Sequence, residues 1–155
     1  MRFPLFIDIK DKRAVVVGGG KIAVRRINIL LKFGARIKVV APNLMADKLE
    51  GDVEYIKKTF EPEDIENAFI VVAATGDRAV NHSVCELCHK KNILVSVADC
   101  KEESSFYFPA VCLNDSLSIG IVSDGNNHTL VKDMAEKIRR LLDNEKKAQD
   151  RQQRK

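Results

Sequence analysis

The chain has 155 residues, 45% of them apolar, with a formal net charge of +4 and four cysteines. That length suits one compact domain with a small appendage and leaves little room for two full domains. No apolar run approaches the ~20 residues of a membrane-spanning helix, and the charge is too mild for a nucleic-acid arm, although it suits an anionic ligand.

The opening Met1-Arg2-Phe3-Pro4-Leu5-Phe6-Ile7-Asp8 is too short and too early in charge for a signal peptide, so a cytoplasmic protein is expected. The first predicted element is an apolar strand within Val15 to Ala23, which runs into a Gly-rich turn and then an amphipathic helix. Gly18-x-Gly20-x-x-Ala23 supplies what a dinucleotide site needs. Gly18 permits the tight turn, Gly20 lets the backbone approach a pyrophosphate, and Ala23 is small enough for helix-on-strand packing. The phosphates would sit on free N–H groups at the positive end of the helix.

Ala23, Ile27, Leu30 and Leu31 recur at helical spacing, Gly34 stands where a left-handed cap belongs, and Arg36 to Val40 reads as the next strand. Together they make one βαβ unit. An acid that holds the adenosine ribose is expected ~20 residues past the glycines, yet this strand ends Val39-Val40-Ala41-Pro42-Asn43. Ribose recognition then falls to backbone groups or Asn43. No arginine cluster stands there to receive a 2′-phosphate, which favours NAD over NADP.

Val53 to Ile56 reads as a third strand, Glu61 to Asn67 as a short helix, and Ala68 to Ala74 as a strand buried on both faces. A helix over Asp77 to Lys91 and a strand over Ile93 to Val97 follow. The alternation predicts a parallel sheet with helices on both faces. Val40-Ala41-Pro42, Ala74-Thr75-Gly76 and Val97-Ala98-Asp99 would line its carboxyl edge, where such sheets bind ligands.

Cys85-Glu86-Leu87-Cys88-His89 has the spacing of a metal site. However, Val80, Val84, Leu87 and Cys88 form one apolar helix face, and Cys100 and Cys112 make no second close pair. No metal site and no disulfide are expected. His82 and His89 read as solvated helical residues.

Beyond Asp99, Phe106 to Cys112 and Ser116 to Val122 look like a hairpin turning at Leu113-Asn114-Asp115. A polar loop, Ser123 to Asn127, leads to a helix whose stripe of Leu130, Val131, Met134, Ala135, Ile138, Leu141 and Leu142 is too long to leave in water. Glu145 to Lys155 reads as a solvated, frayed tail. His128 draws interest as a loop histidine near the expected substrate mouth. The expected fold is α/β: a Rossmann-like parallel sheet over residues 1–110 that binds NAD, and a small C-terminal hairpin-plus-helix region over 111–155 that forms a homodimer.

These landmarks together resemble the precorrin-2 dehydrogenase family, including the amino-terminal module of multifunctional siroheme synthases. The resemblance spans nearly the whole chain. It rests on Phe3-Pro4-Leu5-Phe6, Val17-Gly18-Gly19-Gly20-Lys21-Ile22-Ala23-Val24-Arg25-Arg26, Val39-Val40-Ala41-Pro42, Ala73-Ala74-Thr75, Val80-Asn81, Val95-Ser96-Val97-Ala98-Asp99, Phe106-Tyr107-Phe108-Pro109-Ala110 and Val122-Ser123-x-Gly125. It implies NAD-dependent oxidation of precorrin-2, an anionic tetrapyrrole, to sirohydrochlorin, with Asp99 as the catalytic residue and no nucleic acid or membrane as partner. Lys21, Ile22, Pro42 and Asn43 match positions that contact the dinucleotide, and Thr75 joins Gly18 and Gly20 as a cofactor-edge residue. The chain departs from the family pattern over Asp124 to Thr129, and a shorter helical end without a methyltransferase domain is expected. Some relatives also insert iron using the same aspartate. The reading from another class is a non-catalytic nucleotide-sensing module, which would need the glycine turn but not Asp99.

Overall fold

A computed structural model describes residues 3–123 and 127–153. They fall into two compact units, one ending at Tyr107 and the other beginning at Phe108. In the first, β1 (Arg13–Val17), α1 (Lys21–Lys32), β2 (Arg36–Val40), β3 (Glu54–Ile56), β4 (Ile70–Ala73), α2 (Arg78–Lys90) and β5 (Leu94–Val97) alternate along the chain. The five strands pair in parallel in the order β3-β2-β1-β4-β5. The chain winds outward from β1 to β3, then crosses back to β4. The carboxyl ends of β1 and β4 therefore flank the point where the winding reverses, the crevice in which such sheets take ligands.

Strand alternation distributes the core to both sides. Val15, Val17, Val71, Ala73, Val95 and Val97 bury one face together with Val84, Cys85 and Cys88 of α2. Ala14, Val16, Val39 and Val72 are equally buried and alternate onto the other face, and α1 packs on β1 and β2. Cys88 is thus a buried hydrophobe, and burial pushes its thiol up to about 12. Each of the two helices ends on a left-handed residue, Gly34 at φ +73° and Asn92 at φ +54°. The short helix read over Glu61 to Asn67 is a single 3₁₀ turn, Pro62–Ile65. After β5 the chain doubles back along the sheet edge: Ser104 and Ser105 hydroxyls accept from the N–H groups of Val97 (2.9 Å) and Val95 (2.7 Å). That segment covers an edge strand that would otherwise present unpaired backbone.

One charged pair lies inside this unit. Lys38, in the middle of β2, donates to Asp64 at 2.9 Å with both side chains almost wholly buried. Lys58 lies 3.2 Å from the other carboxylate oxygen, which also accepts the Glu61 N–H at 2.9 Å. Burial by itself would raise the Asp64 carboxyl; the hydrogen bonds from Lys38, the Glu61 backbone and Lys58 outweigh it and hold the group below its ordinary value. A carboxyl depressed in the folded state stabilises above its unfolded value, near pH 4, and that contribution is lost as pH falls through the folded value. Replacing Lys38 with Met removes one partner of a buried charge, so Lys38→Met is expected to cost about 3 kcal/mol at neutral pH and to flatten the acid limb below pH ~4. Urea unfolding across pH checks both. A loss under ~0.5 kcal/mol, the range of an ordinary surface change, would mean the pair contributes nothing specific.

In the second unit β6 (Ala110–Leu113) and β7 (Ser118–Ile121) form an antiparallel hairpin, followed by α3 (His128–Gln153). The strands are shorter than the sequence suggested. Phe106 to Pro109 stay outside the ladder, and Pro109 has no N–H to give it. The turn is longer, with the Asn114 side chain accepting from Ser116 N (2.9 Å) and Leu117 N (2.7 Å). His128 opens α3 and is not a loop residue, and α3 continues through the stretch read as a frayed tail. Lys146 to Gln153 includes Lys, Ala, Gln and Arg, all good helix formers. The loop Asp124 to Asn126, with the Gly125 motif, lies outside the described residues. No helix among the described residues is long and apolar enough to cross a membrane.

Candidate functional site

The glycine turn is built by its neighbours as much as by its own sequence. Gly18 sits at φ +118° and donates its N–H to Val40 O at 2.9 Å, and a Cβ there would lie 2.3 Å from Ala74 O. A Cβ on Gly19 would lie 2.0 Å from Asn43 O, because the loop after β2 crosses directly over it and Met45 N–H donates to Gly19 O at 3.1 Å. Gly20 is different: a Cβ would meet nothing within 4 Å. The first two glycines are thus required by packed backbone, and the third faces open space. The sequence reading assigned no need to Gly19, since nothing local foretells the approach of Asn43.

α1 opens on Gly20, whose O accepts the first intrahelical bond from Val24 at 3.0 Å, and no side chain caps its amides. Its first turn holds Lys21 and no acid. α2, which opens at the same edge of the sheet, is capped by Asp77, accepting from Ala79 N (2.8 Å) and Val80 N (3.3 Å). Of these two helix starts, only α1 leaves its N–H groups and its positive dipole end to an external anion. The open side of Gly20 gives a pyrophosphate room to reach them. Residues and geometry together fit a dinucleotide.

Around this cradle the other predicted site residues share the carboxyl edge. Ile22 is half exposed on the first turn of α1, Pro42 and Asn43 are exposed beyond β2, and Thr75 follows β4. Asp99 lies two residues past β5 with its carboxylate about one-third exposed. One Asp99 oxygen accepts from Asn81 Nδ2 at 3.0 Å, and the other faces Arg78 Nη1 at 3.9 Å. Arg78 is in turn held by Glu103, which also bonds His82 Nδ1 at 2.9 Å. The Arg78 guanidinium, with His82, holds the Glu103 carboxyl below its ordinary value, and Arg78 is raised reciprocally. His82 is exposed, as read from the sequence, but is engaged by Glu103. Among the described residues no group of His, Cys, Asp and Glu has a metal-binding arrangement.

Known proteins share the nucleotide-binding fold of the first unit. Residues 5–110 match the model of a family described as "Putative NAD(P)-binding". A solved structure titled "SirC, precorrin-2 dehydrogenase" superimposes with a TM-score of 0.74 at 34% identity, over 88% of this chain and 69% of that one. The chain belongs to the precorrin-2 dehydrogenase family. Among curated members, a "Probable multifunctional siroheme biosynthesis protein HemA" from Ruminiclostridium josui is 49% identical over 90% of this chain, and a siroheme synthase from Actinobacillus pleuropneumoniae serotype 3 is 41% identical over the same share. The chain spans only 28% and 29% of the lengths of these two family members. Asn81, the buried polar residue that joins Thr75 to Asp99, carried no assigned role in the sequence reading. Its signal there was only its place in the Val80-Asn81 motif.

Proposed function

We propose that this chain oxidises precorrin-2 to sirohydrochlorin with NAD as the oxidant, producing NADH and a proton. The observation that carries the reading is Asp99: a partly exposed carboxylate past β5, at the same sheet edge as the uncapped start of α1. When bound, NAD supplies a hydride acceptor. The Lys21, Ile22 and Ala23 amides and the open side of Gly20 hold its pyrophosphate, while Pro42 and Asn43 flank the adenosine side. Substrate oxidation releases a proton together with the hydride, and Asp99 takes that proton as general base. A surplus of positive charge, +4 over the chain, suits a polycarboxylate substrate. NAD is favoured over NADP because Pro42-Asn43 offers no cationic side chain to a 2′-phosphate. A cytoplasmic location accords with this chemistry.

The test is optical. Anaerobic precorrin-2 with NAD should develop the spectrum of the more conjugated macrocycle, with NADH formed in equal amount. An unchanged spectrum from protein that binds NAD would leave a sensing module instead.

Homodimer formation is part of the same reading. Within the second unit the stripe of α3 divides: Ala135 and Leu142 are buried, and Ile138 is half-buried, against the β6–β7 hairpin, while Leu130, Met134 and Leu141 stay exposed. These three lie within about 40° of one another around the helix, and Leu113, Leu117 and Val122 of the hairpin region are exposed as well. A second copy covering such a face removes it from water. Sedimentation at micromolar concentration should show a dimer, and Leu130→Glu with Leu141→Glu should give a monomer. A monomeric parent would remove this part of the reading.

A further inference from the structure

We propose that Asn81 is a positioning residue that fixes Asp99 relative to the cofactor edge, a role that rests on the activity proposed above. Asn81 lies in the first turn of α2 and is fully buried. Its amide oxygen accepts from Thr75 N at 3.0 Å and faces Thr75 Oγ1 at 2.8 Å. Its amide nitrogen donates to Thr75 O at 3.2 Å and to Asp99 Oδ2 at 3.0 Å. A carboxamide offers two donors and one oxygen with two lone pairs. Here all four are directed at two residues, one following β4 and the other following β5.

The partners also fix which way the amide points. A backbone N–H can only donate and a carboxylate can only accept, so turning the amide over would set donor against donor at Thr75 and oxygen against oxygen at Asp99. Asn81 therefore has one orientation, and that orientation holds one carboxylate oxygen and leaves the other to Arg78 and the open edge. A helix-start tie alone would need only the bonds to Thr75. The fourth bond, to a partly exposed carboxylate 18 residues away, serves the aim of that carboxylate. A base displaced by about 1 Å can lose on the order of 10²-fold in rate.

Asn81→Asp keeps the shape and the acceptor toward Thr75 but sets a second carboxylate against Asp99. In the full-length protein, steady-state oxidation of precorrin-2 should show kcat lower by about 10²-fold with KM for NAD changed by no more than about threefold. The deciding comparison is the same substitution in an Asp99→Asn background. There no base remains to be aimed, and the reversed amide–carboxylate pair can still form. The additional loss should be less than about threefold. Losses that multiply in the two backgrounds would make Asn81 a scaffold residue and overturn the positioning role, leaving the activity standing. A parent protein inert toward precorrin-2 overturns the activity and this role together, and that outcome is visible before any variant is made. If the buried carboxylate unfolds the single variant, Asn81→Ser, uncharged and too short to reach Asp99, decides the question by the same comparison.

Discussion

Asp99→Asn is expected to lower precorrin-2 turnover by about 10²- to 10⁴-fold, the range general-base assistance typically supplies, while NAD binding and folding stay close to the parent's. The amide keeps the size of the carboxylate and loses its basicity. The structure gives reason to expect a clean result. Asp99 is partly exposed, so no deeply buried charge is lost. Its neighbour Asn81 stays bonded to Thr75 at three atom pairs whatever residue 99 is. Arg78 keeps Glu103. Single-turnover rates at saturating NAD measure the effect directly. A variant that oxidises precorrin-2 at the parent rate would make Asp99 structural, and one that loses NAD affinity or folding would place it in the scaffold.

The second large effect separates two adjacent glycines. Gly20→Val should leave the fold largely intact, because a Cβ there meets nothing and the residue's φ of −81° is open to any side chain. The added branches fill the space over the first amides of α1, so NAD affinity should fall by about 10²-fold or more, roughly 2.7 kcal/mol. Gly19→Ala works through the scaffold. Its Cβ would lie 2.0 Å from Asn43 O and 2.8 Å from Leu44 Cα, both backbone atoms that cannot rotate away. The loop after β2 must shift, at a cost of about 1–3 kcal/mol in stability, with NAD binding falling as a consequence. Thermal unfolding beside NAD titration distinguishes the two. Unchanged NAD affinity in a folded Gly20→Val protein would sink the placement of the pyrophosphate.

Strands and helices of the first unit were legible because their signals are local. Short unbroken apolar runs rich in β-branched residues, such as Val15 to Val17 and Ile70 to Ala73, read as strands covered on both faces. Asp77 announces α2 by capping it, and Gly34 ends α1 by taking a φ that other residues resist. The hairpin was harder. Phe106 to Cys112 carries a strand-like composition, but Ser104 and Ser105 bind the edge of β5 and Pro109 cannot donate, so the ladder starts only at Ala110. The end of α3 misled for the opposite reason: a charged stretch without apolar periodicity still has high intrinsic helix propensity and extends a helix already nucleated upstream.

By itself, the sequence determined the glycine turn, the alternation that makes a parallel sheet, and the carboxyl edge that brings Pro42, Thr75 and Asp99 together. Each of these follows from sterics and periodicity within a few residues, and the winding order turns them into one edge. Tertiary structure alone decided why Gly19 must be glycine, that Lys38 is neutralised by Asp64 inside the sheet layer, and that Asn81 spans from Thr75 to Asp99. Those contacts join residues 24, 26 and 18 positions apart in the chain. Their energy lies in desolvated hydrogen bonds and backbone contact, which exist only once the strands have paired and water has been excluded.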